Sequence, residues 1–122
     1  MPPRLQTPPA PPDGGGYDVN VQLVSLSEVS LRLANQPHPE RFVGKHEIVS
    51  LSGTLSKNGT HLHMSVANSE GQIFGGHVVE GSIIYTTAEI VILEMSELVF
   101  EREFCPISGF NELLVSTRNE ES

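Results

Sequence analysis

Three histidines in the middle of the chain are the residues whose types and spacing suggest chemistry. His61 and His63 are separated by one residue, and His77 follows after a turn-like sequence. In an extended strand, residues two apart point to the same face, so the first two imidazoles are neighbours. Imidazole binds Zn²⁺ and other late first-row divalent metals, and three imidazoles leave a fourth position for water or a carboxylate. The spacing predicts a metal centre, with a hydrogen-bonded polar face that holds no metal as the alternative.

Two predicted hairpin turns bring the third histidine to the same face. Asn58-Gly59 lies between alternating runs and is typical of a two-residue hairpin loop, which places His63 opposite Thr54. Asn68-Ser69-Glu70-Gly71 is typical of a type I turn followed by a left-handed glycine, which places His63 opposite His77. Both registers put all three imidazoles on one side of the predicted sheet, where directly opposed residues are close.

One carboxylate is a candidate to complete this site. Glu89 lies on the strand predicted after the histidine hairpin. It is a candidate fourth ligand or, in an enzyme, a candidate general base for a metal-activated water. A structural or interface carboxylate is the alternative interpretation. The single Cys105 cannot form an internal disulfide and is interpreted as a small, partly buried apolar residue.

The elements that must position these residues are β-strands. Apolar and polar residues alternate over residues 19–23 and 29–33, and Val49, Leu51 and Leu55 alternate with serines and threonines. This last run predicts a strand with one buried apolar face and one hydroxyl-bearing face. No stretch shows helical spacing. The residues alone therefore predict an antiparallel, mainly β domain.

Length and composition predict one domain with a tail at each end. A chain of 122 residues fits a single domain of ordinary size. Six of the nine prolines fall in the first twelve residues and three glycines follow, a composition that cannot bury enough apolar surface to fold. We expect a disordered tail over residues 1–16, a domain over residues 17–118 and a disordered end over residues 119–122.

The charge balance argues against direct nucleic-acid binding. Seven Lys plus Arg against fifteen Asp plus Glu give a net charge of −8, and no basic run could form a phosphate-binding stripe. No apolar run approaches the roughly 18 residues of a membrane span, and no secretory leader is recognisable. We therefore expect an intracellular protein, cytoplasmic or nuclear, without membrane contact.

The central sequence resembles a known family. The run EIVSLSGTLSKNGTHLHMSVANSEGQIFGGHVVEGSIIYTTAEIVI, followed by LVFERE and GFNELLV, is similar to the plant and prokaryote conserved domain, called PPC. The resemblance implies an α+β domain dominated by an antiparallel sheet, assembly into homotrimers and contacts with other proteins. Two departures stand out. The Arg-Gly-Arg-Pro core of the AT-hook is absent from this sequence, and residues 1–16 do not resemble the strand and helix with which the family opens, so we expect a shortened form that lacks both.

The resemblance also assigns residues by position. The three histidines match the histidine-bearing prokaryotic version of the domain, which favours a divalent metal, with Zn²⁺ as the expected ion. A short segment matches the part through which plant members contact partners, with histidine in place of the usual phenylalanine, although an ordinary strand entrance is an equal interpretation. This segment consists of Gly44, Lys45, His46, Glu47, Ile48 and Val49.

These observations lead to two competing functions. We expect a homotrimeric oligomerisation and protein-interaction domain, associated with transcription through its partners and without direct specific DNA binding. The alternative is a metal-dependent enzyme acting on a small substrate, in which the open metal position activates water. Glu89 is the only general base that the sequence suggests for that enzyme, so we expect the non-enzymatic function.

Overall fold

The computed structural model describes residues 15–118, which form six β-strands. The tail predicted over residues 1–16 lies outside the described residues except for its last two positions, and the end predicted over residues 119–122 lies outside them entirely. The strands are β1 (Gly15–Arg32), β2 (Glu40–Ser56), β3 (Gly59–Ala67), β4 (Ile73–Val78), β5 (Ile83–Cys105) and β6 (Phe110–Thr117).

The six strands form one antiparallel sheet that is partly closed on itself. Their order is β2-β3-β4-β1-β5-β6, and an additional pairing of β2 with β1 joins the first four strands into a ring. β1 is central because it pairs with β2 along one edge and with β5 and then β4 along the other. The register of β1 is irregular between Leu26 and Glu28, where it passes from β5 towards β4. Such a bulge bends a strand and lets it serve two neighbours.

The predicted fold class is confirmed for the sheet and not for the helix. The antiparallel sheet dominates, but no α-helix lies within residues 15–118. The α+β label and the loss of an N-terminal strand and helix are therefore not confirmed. The physical reason is the period-two alternation of the chain, which gives strands one buried face and provides no apolar stripe for a helix. In the same range, no helix is long and apolar enough to cross a membrane.

The hydrophobic core is built from alternate residues of the ring strands. The pattern is clearest in β3, where Leu62, Met64 and Val66 are buried. His61 and His63 occupy the intervening positions, so both imidazoles project from the opposite face of the strand. Within the described range, the core cluster comprises Leu26, Val29, Leu31, Leu51, Leu55, Leu62, Met64, Val66, Val78 and Ile84.

One predicted face assignment is wrong, at the start of the serine-rich strand. The alternation placed Val49 on the buried face with Leu51, but Val49 is 55% exposed and Leu51 is 4% exposed. The register between β2 and β3 is irregular between Ile48 and Ser50, so Val49 occupies a bulge. An extra residue reverses the alternation, and Ile48 packs against the core in place of Val49.

Candidate metal centre

The first hairpin turn lies one residue earlier than expected. Residues 57–58 form the loop, and neither has a positive φ, whereas Gly59 has φ 121°. The register is consequently displaced by two residues, so Thr54 lies opposite His61, whereas the prediction placed it opposite His63. A displacement of two residues preserves the alternation of faces. Both histidines therefore remain on the predicted side of the sheet.

Contacts with a distant strand hold this turn. The side-chain oxygen of Asn58 accepts a hydrogen bond from the backbone N–H of Arg102 in β5, at 2.9 Å. The backbone N–H of Asn58 donates to the hydroxyl of Ser56 at 3.3 Å. The side chain of Arg102 continues across the same region, where its Nη2 donates to Thr54 Oγ1 at 3.1 Å. The turn is thus tied to the β5–β6 hairpin, a constraint that the local sequence does not contain.

The second turn is confirmed in position and type. Gly71 has φ 79°, and its N–H donates to the Asn68 carbonyl at 3.0 Å. The Asn68 N–H donates to the Gln72 carbonyl at 3.0 Å, which closes the hairpin as predicted. β3 and β4 then pair with His63 opposite His77. This register brings the third imidazole beside the other two.

The three imidazoles form one compact cluster. Their ring centroids are 5.1 Å apart for His61–His63, 5.1 Å for His61–His77 and 5.5 Å for His63–His77. One ring nitrogen from each residue can be chosen so that all three lie within 4.8 Å of one another. The Nε2 atoms of His61 and His63 are 3.3 Å apart. His63 is exposed, and the other two are partly buried.

Burial and neighbouring positive charge favour the neutral form of two of the imidazoles. Desolvation lowers the pKa of His61 below its ordinary 6.5, and the guanidinium of Arg102 lowers it further. Desolvation also lowers the pKa of His77, followed by the charges of His61 and Arg32. A neutral imidazole has the free lone pair that a metal needs. The site is therefore suited to metal binding at neutral pH.

The donor set and one unsatisfied atom fit a divalent metal. His77 Nδ1 is buried and has no hydrogen-bond partner among the described residues. Buried polar atoms are rarely left without a partner, so an unpartnered ring nitrogen beside two further imidazoles needs an explanation. Three imidazoles with an open fourth position suit late first-row divalent metals.

Three glycines allow the strands of the site to approach closely. A Cβ at Gly53, which has φ 154°, would lie 2.1 Å from the backbone oxygen of His61. A Cβ at Gly76 would lie 2.6 Å from the backbone oxygen of Arg32, and one at Gly75 would lie 2.4 Å from that of Met64. Real Cβ atoms do not come this close to backbone oxygens. Any side chain at these positions would push apart the strands that carry the histidines.

The predicted carboxylate does not join the cluster. Glu89 is exposed in β5, where it pairs with Leu23 of β1, and it is outside the group of possible ligands. The carboxylate whose charge acts on His61 is instead Glu112 of β6, which raises the pKa of that imidazole against the larger lowering effects. Glu112 could not be selected from the sequence, because the β5–β6 hairpin reaches the site only through tertiary packing.

The predicted partner-binding segment lies in β2, outside the histidine cluster. His46 is buried, its Nδ1 lies 2.7 Å from the Gly44 carbonyl oxygen, and its ring packs edge-on against Phe74. Lys45 Nζ lies 4.3 Å from the ring centroid of Tyr85, and hydrogen bonding by Lys45, together with its charge, lowers the pKa of that phenol. The segment lines surface pockets of about 320 Å³ and 540 Å³.

The fold and the site define a class of domain: an antiparallel sheet with a closed ring of four strands that bears three clustered imidazoles. A family model described as the Plants and Prokaryotes Conserved (PCC) domain matches residues 23–96. The chain belongs to this family, which confirms the resemblance that the sequence indicated.

Two curated relatives, named bifunctional protein GlmU and found in two Synechococcus strains, are 46% and 45% identical over 89 residues. The match spans 73% of this chain but 14% of each relative.

Solved structures share the fold. A hypothetical protein from Salmonella cholerae-suis is 39% identical with a TM-score of 0.77, over 84% of this chain and 75% of that one. A protein from Bacteroides thetaiotaomicron, named for a proposed DNA-binding role, is 26% identical with a TM-score of 0.71, over 81% and 72%. A metal-containing protein from Archaeoglobus fulgidus is 21% identical with a TM-score of 0.68, over 81% and 74%. At this last identity, the likeness concerns the fold alone.

Proposed function

We propose that this chain is an oligomerisation and protein-interaction domain that holds one divalent metal ion, Zn²⁺, on His61, His63 and His77. The observation that carries the metal proposal is the set of three ring nitrogens within 4.8 Å of one another. In a tetrahedral zinc site with Zn–N distances of about 2.0–2.1 Å, ligand nitrogens are about 3.3 Å apart. The Nε2 atoms of His61 and His63 are separated by 3.3 Å, so this pair has the spacing of one tetrahedral edge.

The interaction part of the proposal is supported by the exposed apolar surface of β5 and β6. Four consecutive residues of β5 are strongly exposed, and so are three consecutive residues of β6, on both faces of their strands. Because β6 pairs with β5 only from Leu98 onward, residues 83–97 of β5 also have an unpaired edge among the described strands. Unpaired edges with apolar side chains are suited to association with another chain. The residues concerned are Ile90, Val91, Ile92, Leu93, Leu113, Leu114 and Val115.

We propose a homotrimer as the assembled state and the segment from Gly44 to Val49 as a contact site for other proteins. Its exposed members and the adjoining pockets support the second proposal, because they form a concave surface that is separate from the exposed apolar stretch of β5. A transcription-associated role would then operate through bound partners. We also propose that the protein is located in the cytoplasm or the nucleus.

A metal-dependent enzyme acting on a small substrate is the second candidate function. The observation in its favour is a pocket of about 360 Å³ lined by His63 and His77, where an open metal position would meet a ligand. This volume lies in the range of small-molecule sites. A hydrolase would also need a general base. Glu112 is a better candidate for this role than Glu89, because the charge of Glu112 acts on His61.

Metal analysis of the purified chain tests the proposed site. We expect one divalent ion per chain, and we expect His63→Ala to abolish binding, because two imidazoles hold zinc weakly. His38→Ala is the matched control, since this exposed histidine lies outside the cluster. A wild-type chain that binds no divalent metal, or a His63→Ala variant that binds it unchanged, would contradict the proposal.

A further inference from the structure

A row of side chains crosses four strands at the histidine cluster. Arg32 of β1 lies opposite His77 of β4, His77 lies opposite His63 of β3, and His63 lies opposite Ser52 of β2. Directly opposed residues in antiparallel strands share a face, with Cβ atoms about 4.5–5.5 Å apart. The side chain of Arg32 therefore starts beside that of His77 on the face that bears the metal ligands, and its charge acts on this imidazole.

The guanidinium of Arg32 has no ion-pair partner among the described residues. The two salt bridges in this range join Arg41 to Glu28 and Lys57 to Glu101, and neither involves the site. Arg32 is nevertheless partly buried, and its positive charge reaches His77. A guanidinium in such a position can accommodate an anion that the chain itself does not provide.

Arg32, His63 and His77 line the same pocket. Its volume is about 360 Å³, and the rest of its wall includes Gly75, Gly76 and the two apolar residues that follow β1. The glycines contribute no side chains, so the space beside the two imidazoles stays open. A metal ion held by the histidines would thus border a cavity whose wall also includes Arg32.

A second guanidinium adds positive charge beyond the cluster. Arg102 donates to Thr54, which lies opposite His61, and its charge lowers the pKa of both His61 and His77. The chain as a whole is acidic, with a net charge of −8. Two arginines and one carboxylate, Glu112, act on the imidazole cluster, so the arginines make a local positive site on an acidic protein. Such a site favours a small anion over a neutral ligand.

We propose that the pocket beside the three histidines binds a small oxyanion, a carboxylate or a phosphate, with one oxygen on the metal and another on the guanidinium of Arg32. The proposal rests on the proposed metal function and names the ligand class for the same site. A carboxylate or phosphate bound to the metal through one oxygen keeps at least one anionic oxygen free, and the several N–H donors of a guanidinium suit such an oxygen. Arg32 is then the residue that selects the anion, and the histidines hold the ion.

The test uses the full chain loaded with one equivalent of Co²⁺ and freed of excess metal. Bound Co²⁺ is counted first, which tests the metal function separately. Sodium acetate and inorganic phosphate are then titrated in separate arms, in a buffer without other oxyanions, and the visible spectrum of Co²⁺ reports binding. Arg32→Gln is compared with wild type and with Arg41→Gln, which removes the same charge at the ion pair with Glu28. Arg32→Lys provides a second variant that retains the charge and loses the paired donors.

We expect saturable spectral changes in the wild-type protein with at least one of the two anions, and the stronger response identifies carboxylate or phosphate. Arg32→Gln should retain one Co²⁺ and bind the anion about tenfold or more weakly, while Arg41→Gln behaves as wild type. Arg32→Lys should fall between wild type and Arg32→Gln. Normal Co²⁺ binding with no anion response, or with equal anion affinity in Arg32→Gln, would overturn the oxyanion proposal alone. Failure of the wild type to hold Co²⁺ would overturn the metal function and the oxyanion proposal together.

Discussion

At the scale of single residues, two of the three clustered histidines are adapted to be neutral ligands. Desolvation is the largest cause that lowers the pKa of His61 and of His77, and nearby positive charges act in the same direction. Burial and nearby positive charge disfavour a protonated imidazole, and they would disfavour a metal ion as well unless the ring nitrogens coordinate it directly. Metal binding and protonation therefore compete for the same ring nitrogens.

The lowered pKa values of these two histidines predict that acid destabilises the metal-free protein in a defined window. The folded-state pKa of His61 and His77 lies below 6.5, so above that value both states carry neutral imidazoles and stability is unaffected. As the pH falls from 6.5 through the lowered folded pKa, the unfolded chain takes up more protons and the free energy of unfolding decreases. Urea denaturation of chelator-treated protein between pH 7.5 and 5.5 measures this slope.

A double variant identifies the histidines as the cause of that slope. In the protein carrying His61→Ala and His77→Ala together, the free energy of unfolding should depend less on pH over the same interval. His38→Ala should keep the wild-type slope, because that exposed residue is outside the cluster. An identical slope in the double variant and in wild type would show that other groups produce the effect.

The histidines could be predicted from the sequence, but their charged neighbours could not. The alternation of β3 and the turn at residues 68–71 are local signals, and together they place His63 opposite His77. Arg32 reaches the site because β1 pairs with β4. These two strands are not joined by a turn, so no local sequence signal indicates their pairing. Arg102 and Glu112 belong to a hairpin that docks by tertiary contacts, so neither has a local signal.

At the scale of the elements, a register error changes the face of a side chain only when the displacement is an odd number of residues. The first turn lies one residue from its expected position, yet the histidine face is the predicted one because the displacement along β3 is even. The bulge at Val49 is the opposite case, since a single extra residue reversed the face. Turn sequences predict that a hairpin forms, whereas bulges depend on how a long strand must bend to serve two neighbours.

Because β4 approaches β1 closely, we expect Gly76→Ala to reduce both the stability of the fold and the affinity for metal. The added Cβ would lie 2.6 Å from the backbone oxygen of Arg32, so the two strands must separate. We expect a loss of about 1–3 kcal/mol in the free energy of unfolding, as for other overpacked sites, together with weaker metal binding. Ser52→Ala is the control, because this exposed residue of β2 lies on the same face opposite His63 and the change adds no bulk.

Denaturant unfolding and metal titration of both variants check this prediction. Ser52→Ala should stay within about 0.5 kcal/mol of wild type, as surface substitutions usually do. Wild-type stability in Gly76→Ala would mean that β4 can move away from β1 without cost. Wild-type metal affinity in a destabilised Gly76→Ala would mean that the spacing of these strands does not control the position of His77.

At the scale of the whole molecule, the exposed apolar stretch of β5 predicts self-association. Leu93 is 57% exposed on a strand whose edge is unpaired among the described strands. We expect sedimentation of the wild-type chain at about 10 µM to show a trimer, and Leu93→Asp to shift it towards monomer, because a buried unpaired charge is costly. Val43→Asp is the control, since Val43 is 73% exposed on β2, away from this stretch. A wild-type monomer at this concentration would contradict the trimer.

The charge of the molecule also predicts its behaviour towards DNA. The net charge is −8, and the sequence contains no Arg-Gly-Arg-Pro element that could enter an AT-rich minor groove. Among the described basic residues, Arg41 and Lys57 form ion pairs with Glu28 and Glu101, so a carboxylate stands beside each of these positive charges. Binding to a duplex would have to bring this negative charge towards the phosphates.

We therefore expect a dissociation constant weaker than about 10⁻⁴ M for an AT-rich duplex at about 150 mM salt, with no preference over a GC-rich duplex. Fluorescence anisotropy with both duplexes measures affinity and sequence preference in one experiment. The metal-loaded protein is titrated alongside the chelator-treated protein, because a bound divalent ion adds positive charge beside Arg32 and Arg102. Tight binding that depends on the AT-rich sequence would show that the acidic surface conceals a DNA-binding face, and the partner-mediated role proposed for this chain would then be wrong.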